Sequence, residues 1–195
     1  NIYLAKERLA GNREALKYLE EIDPSIQQIE RIFDFARTYE MLGVEELVYV
    51  SVDRTLEEAV SLFSDLKDVK IINNCNRLTV LADSLLRQIF YNLIDNSLKY
   101  GEEISLIRVY YEEVEKEQLK MIYEDNGVGI PKKMKINLFK EGYGTGTGYG
   151  LYLIKRICEV YGWDIREEGK PMKGVRFIMT VPRRGKNGRE NYRLQ

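Results

Sequence analysis

Four polar residues between positions 88 and 99 have the types and the spacing of a binding site. Gln88, Asn92, Asn96 and Lys99 follow one another at offsets of four, four and three, which places them on one face of a helix. Asparagine is a poor residue for a helix interior, because its side chain competes for backbone hydrogen bonds. The set suits a polyphosphate with Mg²⁺, since an amide oxygen binds the ion while a second amide and the lysine bind phosphate. A solvated helix face is the alternative explanation.

An acidic glycine turn, DNGVGIP, spans Asp125 to Pro131. Its glycines allow the backbone to turn sharply at the end of a strand and to approach a flat ligand closely. A carboxylate at such a turn can accept a hydrogen bond from an exocyclic amino group. An ordinary turn is the alternative explanation, because Asp, Asn and Gly are all frequent in turns.

A second glycine-rich stretch, from Gly142 to Gly150, has glycine at every second position and precedes a predicted helix. Backbone amides at the N-terminus of a helix form an anion site, and the helix dipole favours negative charge there. Thr147 adds a hydroxyl group. The stretch is not a P-loop, because no Gly-Lys-Ser/Thr ends it. A flexible loop is the alternative explanation.

The absence of histidine excludes several kinds of chemistry. The 195 residues contain no histidine, so histidine general acid–base catalysis, histidine metal sites and Ser-His-Asp triads are all excluded. Cys75 and Cys158 lie far apart in apolar surroundings and are predicted to be reduced core residues.

Length, composition and charge are those of an ordinary globular protein. A chain with 44% apolar and 31% charged residues is expected to form one or two compact domains. The net charge of −1 gives no reason to expect nucleic acid or an anionic membrane as a partner. No apolar run is long enough to span a membrane, and no signal peptide is visible. Because the chain begins at Asn1, we expect it to be a piece of a longer protein.

The three stretches together resemble the nucleotide-binding boxes of sensor histidine kinases. These kinases belong to a wider ATPase group with gyrase, heat-shock chaperones and mismatch-repair ATPases. The segment from Asn92 to Tyr100 resembles the N box, Asp125 to Gly129 the first glycine box, and Gly146 to Leu151 the second. The resemblance implies ATP and Mg²⁺ as cofactors, with Asn92 as the metal ligand and Asp125 reading the adenine amino group.

The resemblance also assigns individual residues to the nucleotide. It implies catalytic roles for Gln88, Asn92 and Lys99, and it makes Tyr143 a neighbour of the nucleotide in an unusually short lid. The residues assigned to nucleotide binding are Asn92, Asn96, Lys99, Tyr100, Asp125, Gly127, Gly129, Ile130, Tyr143, Gly146, Thr147, Gly148, Tyr149, Gly150 and Leu151.

Gln88 bears on the choice between hydrolysis and phosphotransfer. Hydrolysing relatives such as gyrase have a glutamate one helical turn before the first asparagine of the N box, where it activates water. An amide cannot accept a proton at neutral pH, so the resemblance favours a kinase over an ATPase. It implies transfer of the γ-phosphate to a histidine outside these residues, and from there to the receiver domain of a response regulator, in the cytoplasm.

Two other functions remain open at this point. One is a serine kinase of the anti-sigma or mitochondrial type, which shares the boxes. The other is a non-catalytic scaffold that dimerises through its helices and has lost its binding function.

The fold class predicted from the periodicities is α+β, a two-layer α/β sandwich. We expect one mixed, mainly antiparallel sheet with helices on one face, preceded by an α-helical hairpin. The predicted helices are 13–42, 55–64, 83–100, 132–139 and 148–161, and the predicted strands are 47–52, 69–74, 78–81, 105–113, 119–123, 163–166 and 175–181.

The N-terminal helix has an apolar seam that predicts a dimer. Its members recur with the 3.5-residue period of a helical bundle, although Pro24 either kinks the helix or ends it. The resemblance implies that residues 1–46 are part of a dimerisation hairpin and that 47–182 form the ATP-binding domain. Residues 183–195 are basic and polar without periodicity, which predicts a frayed tail. The seam residues are Ala15, Leu19, Ile22, Ile26, Ile29, Phe33 and Ala36.

Overall fold

The structure is a computed structural model that describes residues 11–66, 68–114, 118–144, 146–185 and 188–194. Residues 1–10, for which the sequence predicts the last part of a helix, and 115–117, for which the charged residues predict a hairpin turn, lie outside the described residues. The elements are α1 (Arg13–Glu40), β1 (Val48–Ser51), α2 (Val52–Val60), β2 (Lys70–Asn74), β3 (Leu78–Ala82), α3 (Leu85–Tyr100), β4 (Leu106–Val114), β5 (Gln118–Asp125), α4 (Lys132–Lys135), α5 (Gly150–Tyr161), β6 (Asp164–Glu167), β7 (Arg176–Pro182) and β8 (Tyr192–Leu194).

The main sheet has five strands in the order β2-β4-β5-β7-β6. Strand β2 pairs with β4 in parallel, and every other pair is antiparallel, as predicted for a mixed, mainly antiparallel sheet. On β4 the buried residues Ile107 and Val109 alternate with more exposed ones. The central strand β5 instead buries the consecutive residues Met121, Ile122 and Tyr123 and therefore has buried side chains on both faces. Helices α2, α3 and α5 pack together, with α3 contacting both others, which confirms the predicted α+β class.

The prediction of one sheet was wrong. Strands β1, β3 and β8 form a separate antiparallel sheet with β3 in the centre. The polar turn after Asn74 therefore connects strands of two different sheets. Sequence periodicity identifies β1 to β7 to within a few residues, but it does not determine which strand pairs with which.

Helix α2 begins at Val52 and not at the predicted Thr55. The Ser51 hydroxyl accepts a hydrogen bond from the Arg54 amide, so Ser51 is the N-cap. The early start buries Val52 and Leu56 on the face that packs against the rest of the domain. The helix then ends at Val60, four residues before the predicted Ser64.

Helix α1 runs through Pro24 without a break, so Pro24 does not end it. The helix ends at Glu40, two residues before the end of the predicted helix 13–42, and Met41 is the C-cap. Glycine is frequent just after helix ends, which had favoured Gly43 as the cap. Gly43 does adopt a left-handed backbone conformation two residues later. Several members of the apolar seam are exposed to solvent, including Ile22, Ile29 and Phe33, whose exposed fraction is 71%.

Residues 192–194 form strand β8, so the prediction of a frayed tail was wrong for this part of the segment. Tyr192 is completely buried and pairs with Val80 of β3. The guanidinium group of Arg193 lies 3.7 Å from the centre of the Tyr49 ring, which adds a cation–π contact. The burial of the Tyr192 ring and the cation–π contact of Arg193 stabilise this strand, although its sequence has no apolar periodicity.

Helix α3 is the central element of the helical layer. Leu86, Ile89, Phe90, Leu93 and Ile94 recur at spacings of three and four, a pattern that predicts a buried helix face, and all five are completely buried. Within the part of the chain that the structure describes, no helix is both long and apolar enough to cross a membrane.

Candidate functional site

A cavity of about 350 Å³ lies between α3, the end of β5, the glycine-rich loop, and α1. This volume is in the range of small-molecule sites. It brings together the predicted residues Gln88, Asn92, Asn96, Lys99, Tyr100, Asp125, Gly129, Ile130, Tyr143, Thr147, Gly148, Tyr149, Gly150 and Leu151. Three segments that are distant in sequence thus meet at one cavity.

The two asparagines of α3 present unsatisfied donors to this cavity. The Nε2 atom of Gln88 donates a hydrogen bond of 3.2 Å to Oδ1 of Asn92. The Nδ2 atoms of Asn92 and Asn96 are buried and have no hydrogen-bond partner among the described residues. Buried donors without partners cost free energy, so the site fits a ligand rich in oxygen, such as a phosphate chain.

Asn96 faces the beginning of α5. A Cβ atom on Gly150 would lie 4.0 Å from both atoms of the Asn96 amide. Helix α5 begins at Gly150, and no side chain caps its first turn. Gly150 and Asn96 lie close together in the lining of the cavity, so the N-terminus of α5 and the Asn96 amide have the chemistry that suits an anion.

The carboxylate of Asp125 is held at the other end of the cavity. Its Oδ1 atom accepts hydrogen bonds of 3.0 Å from the amides of Gly127 and Val175. Its Oδ2 atom accepts one of 2.5 Å from the Ser97 hydroxyl, which also contacts the Tyr123 hydroxyl at 2.8 Å. Asp125 is only 8% exposed, yet it lines the cavity, so a fixed hydrogen-bond acceptor lies at the cavity wall.

Ser97 and Tyr123 support this acceptor and were missed in the sequence analysis. Burial raises the pKa of Tyr123 well above its usual value, so its hydroxyl stays protonated beside Ser97. Ser97 directly follows Asn96 and is buried on the inner side of α3. Its place on that side of the predicted helix was a sequence signal that could have identified it. Tyr123 lies two residues before Asp125 on β5, on the same face of the strand.

Glycine is required in the acidic turn because other backbone segments come very close. Gly129 has a φ of +68°, and a Cβ atom there would lie 2.7 Å from the carbonyl oxygen of Gly174. A Cβ atom on Gly174, whose φ is +89°, would lie 1.8 Å from the carbonyl oxygen of Asp125. Because these backbone segments approach so closely, the loop before β7 lies against the acidic turn, and the Val175 amide reaches the Asp125 carboxylate.

Two residues assigned to the nucleotide lie outside the lining of the cavity. Gly127 packs against α3, since a Cβ atom on it would lie 2.6 Å from the carbonyl oxygen of Gly101. Gly146 lies close to the Tyr100 hydroxyl, which would be 2.8 Å from its Cβ atom. Neither glycine has a side chain to direct into the cavity, and both shape the loops around it.

Lys99 forms an ion pair with Asp95, one helical turn earlier on α3. Both residues line the cavity. The lysine therefore lies at the predicted position. A phosphate ligand would have to displace the Asp95 carboxylate from the Lys99 ammonium group, or bind the ammonium group together with it.

Helix α1 forms an unexpected wall of the cavity through Arg31, Asp34, Phe35 and Thr38. The Phe35 ring stacks on the Tyr149 ring, with centroids 4.3 Å apart and planes 16° apart. Tyr91 lies close to this wall: burial raises its pKa, Asp95 and Asp34 raise it further, and Arg31 lowers it. Sequence reasoning missed these residues because the contact joins segments more than 100 residues apart.

Comparison with known proteins agrees with this arrangement. Residues 82–185 match the family described as histidine kinase-, DNA gyrase B- and HSP90-like ATPase, which is more than half of the chain. The chain belongs to this ATPase family. The resemblance drawn from the three boxes is thereby confirmed, and this part of the chain is an ATP-binding catalytic domain of the kind found in sensor histidine kinases.

Individual relatives of this ATPase domain are sensor kinases. The sensor histidine kinase AruS of Pseudomonas aeruginosa is 29% identical over 78% of the chain, and the chain spans 17% of the length of that relative. Full-length ShkA in complex with AMPPNP has a TM-score of 0.69 at 22% identity, over 87% of this chain and 38% of the other. Histidine kinase ThkA in complex with the response regulator TrrA has a TM-score of 0.66 at 20% identity, over 93% of this chain and 56% of the other.

Proposed function

We propose that the chain binds Mg²⁺-ATP in this cavity and transfers the γ-phosphate to a histidine on another segment or molecule. The observation that carries the proposal is the convergence of Asn92, Asn96 and Asp125 on one cavity in a member of this ATPase family. The chain has no histidine of its own, so the acceptor lies outside these 195 residues.

The donor set fits the proposed ligands. Within the described residues no group of three carboxylate, thiol or imidazole side chains could hold a metal ion, so Mg²⁺ depends on Asn92 Oδ1, phosphate oxygens and water. Bound there, the ion would neutralise negative charge on the phosphates. Oδ1 has two lone pairs, and Gln88 uses one of them, which leaves the other for the ion.

The remaining residues bind and orient the nucleotide. Asn96, Lys99 and the first amides of α5 hold the phosphate chain, and Asp125 accepts a hydrogen bond from the adenine amino group. Tyr100, Ile130, Tyr143 and Leu151 enclose the nucleotide. Phosphotransfer in such a site depends on positioning and charge neutralisation and not on covalent catalysis by the protein.

Gln88 supports transfer over hydrolysis. Its amide donates a hydrogen bond to Asn92, so it orients the proposed metal ligand. It has no basic group that could take a proton from water. The nucleophile is therefore supplied by the acceptor, and Gln88 is a positioning residue.

We also propose that a response regulator receives the phosphoryl group and that α1 forms a homodimer. The complex of ThkA with TrrA, whose kinase shares this fold, supports the first partner. The exposed apolar seam of α1, with Ile22, Ile29 and Phe33, supports the second. A cytoplasmic location follows from the need for ATP, and nothing in the site calls for contact with nucleic acid or membrane.

The test uses γ-labelled ATP, the chain, and a histidine-containing dimerisation domain of a sensor kinase supplied in trans. We expect label on the acceptor that is lost in acid and kept in base, as a phosphohistidine is, and no label with the Asn92→Ala chain. An acid-stable label would instead identify a serine kinase. Release of labelled inorganic phosphate without any labelled protein would identify an ATPase.

A further inference from the structure

Helix α1 packs against the end of the cavity where α5 begins, which is the end proposed to bind the phosphate chain. Besides the stack of Phe35 on Tyr149, the rings of Tyr39 and Tyr152 lie 6.4 Å apart and nearly parallel. Tyr149 is the residue before α5, and Tyr152 is in its first turn. The aromatic contacts therefore fix α1 on the helix whose N-terminus faces the cavity.

These contacts place Arg31 at the glycine-rich loop. Its Nη1 atom would lie 3.8 Å from a Cβ atom on Gly146, and the same point is 2.8 Å from the Tyr100 hydroxyl. Arg31 is one helical turn before Phe35, so both side chains extend from the same face of α1. The side chain of Arg31 is exposed and lines the cavity.

Arg31 is one of two cationic side chains among the described residues that line the cavity. Among the described lining residues the cations are Arg31 and Lys99, and the anions are Asp34, Asp95 and Asp125. Lys99 is paired with Asp95, and Asp125 is at the opposite end of the cavity. A phosphate chain carries several negative charges, and a guanidinium group binds phosphate through two parallel hydrogen bonds.

We propose that Arg31 binds the phosphate chain of the nucleotide when α1 is docked, so that the bound nucleotide holds α1 against the catalytic domain. The proposal rests on the proposed nucleotide site and adds a residue from outside the three boxes. Arg31 is a ligand-binding residue, and Phe35 positions it. Because the coupling is reciprocal, docking of α1 raises affinity for the nucleotide as much as the nucleotide favours docking.

The first test measures binding of AMPPNP with Mg²⁺ by calorimetry. Arg31→Gln is expected to raise the dissociation constant roughly tenfold, the usual loss for a charge-assisted hydrogen bond. Arg31→Lys should raise it less, because the charge is kept. Arg37→Gln, an exposed arginine on the same helix that does not line the cavity, should leave it unchanged.

The second test measures hydrogen exchange in α1 at saturating AMPPNP. The nucleotide should slow exchange of amides around residues 31–40 in the wild type and in Arg37→Gln, but not in Arg31→Gln or Phe35→Ala. If Arg31 only stabilised the docked position of α1, Arg31→Gln would change amide exchange in α1 by the same factor with and without nucleotide. The combined variant Arg31→Gln/Phe35→Ala should lose little more affinity than either single variant, because undocking removes Arg31 as well.

The outcomes separate this proposal from the proposed function. If Asn92→Ala weakens binding while Arg31→Gln stays within twofold of the wild type, the nucleotide site stands and the role of Arg31 is overturned. Equal protection of α1 by nucleotide in the wild type and Arg31→Gln would also overturn it. A wild-type chain that does not bind AMPPNP would overturn both.

Discussion

At the scale of single residues, the site depends on side chains whose hydrogen bonds are only partly satisfied by the protein. Asp125 is the clearest case, because two backbone amides and the Ser97 hydroxyl fix its carboxylate while one side faces the cavity. Its type and position were predictable from the acidic glycine turn. Its support by Ser97 and Val175 was not, because those contacts depend on how α3 and β7 meet β5.

Replacing Asp125 by asparagine should weaken adenine nucleotide binding by about tenfold or more. The amide keeps one acceptor, but it introduces an NH₂ group that faces either Ser97 or the proposed adenine amino group, and a lost charge-assisted bond costs about 1.5–3 kcal/mol. Titration with a fluorescent ATP analogue measures the change. Asp164→Asn, at an exposed carboxylate, is the control and should bind as the wild type does. Equal affinities in both variants would place the adenine site elsewhere.

Gly174→Ala should strongly destabilise the fold. The new Cβ atom would meet the carbonyl oxygen of Asp125 at 1.8 Å, and overpacking costs about 1–3 kcal/mol on top of about 1–2 kcal/mol for the left-handed backbone. Gly188→Ala is the matched control, because Gly188 has a φ of +77° with nothing near its Cβ position. Urea denaturation should show the larger loss in free energy of unfolding for Gly174→Ala, and equal losses would contradict the close contact.

The buried thiols give a prediction about reactivity. Burial, with a smaller contribution from Asp53, raises the pKa of Cys75 to about 12, and burial also raises the pKa of Cys158. Both thiols therefore remain protonated at neutral and mildly alkaline pH in the folded protein, and the reactive thiolate is scarce. We expect iodoacetamide to label neither cysteine at pH 8 until denaturant is added. Rapid labelling of the folded chain would show that these residues are not in a closed core.

At the scale of elements, predictability followed the length and the periodicity of each segment. Helix α3 and the hairpin β4–β5 were predicted to within a few residues, because their apolar patterns are long and regular. Strand β8 has three residues among basic ones, so no period was available to detect it. The docking of α1 on α5 was equally hidden, since no local pattern encodes a contact between Phe35 and Tyr149.

The contribution of β8 can be measured by truncating its central side chain. Tyr192→Ala should lower the free energy of unfolding by about 3 kcal/mol, because a large aromatic ring is removed from a completely buried site. Leu194→Ala, in the same strand but 40% exposed, should cost much less. Thermal or urea unfolding of both variants makes the comparison. Equal and small losses would show that the C-terminal segment adds little to the fold.

At the scale of the whole molecule, α1 has two sides with different uses. One side contacts the catalytic domain through Phe35 and Tyr39, and the other leaves Ile22, Ile29 and Phe33 exposed. An exposed apolar seam of this length is costly in water unless another surface covers it. We propose that a second copy of α1 covers these residues, in agreement with their heptad spacing.

Phe33→Glu should convert a dimer into a monomer, because it introduces a charge into the proposed interface. Light scattering after size-exclusion chromatography measures the mass, which is 22.9 kDa for one chain. Val44→Glu is the control, since Val44 is equally exposed but lies beyond α1. A wild-type chain that is monomeric at high concentration would contradict the dimer and leave the catalytic domain unaffected.

Asn92, Asn96, Asp125 and the start of α5 meet at one cavity, which we propose is a single site for Mg²⁺-ATP. Calorimetric titration of the chain with AMPPNP in the presence and absence of Mg²⁺ tests this proposal most directly. We expect saturable binding of one nucleotide per chain, stronger with Mg²⁺, and a loss of at least tenfold in Asn92→Ala but none in Asn74→Ala, at an exposed asparagine. Binding that is absent, or that is unchanged in Asn92→Ala, would contradict the account.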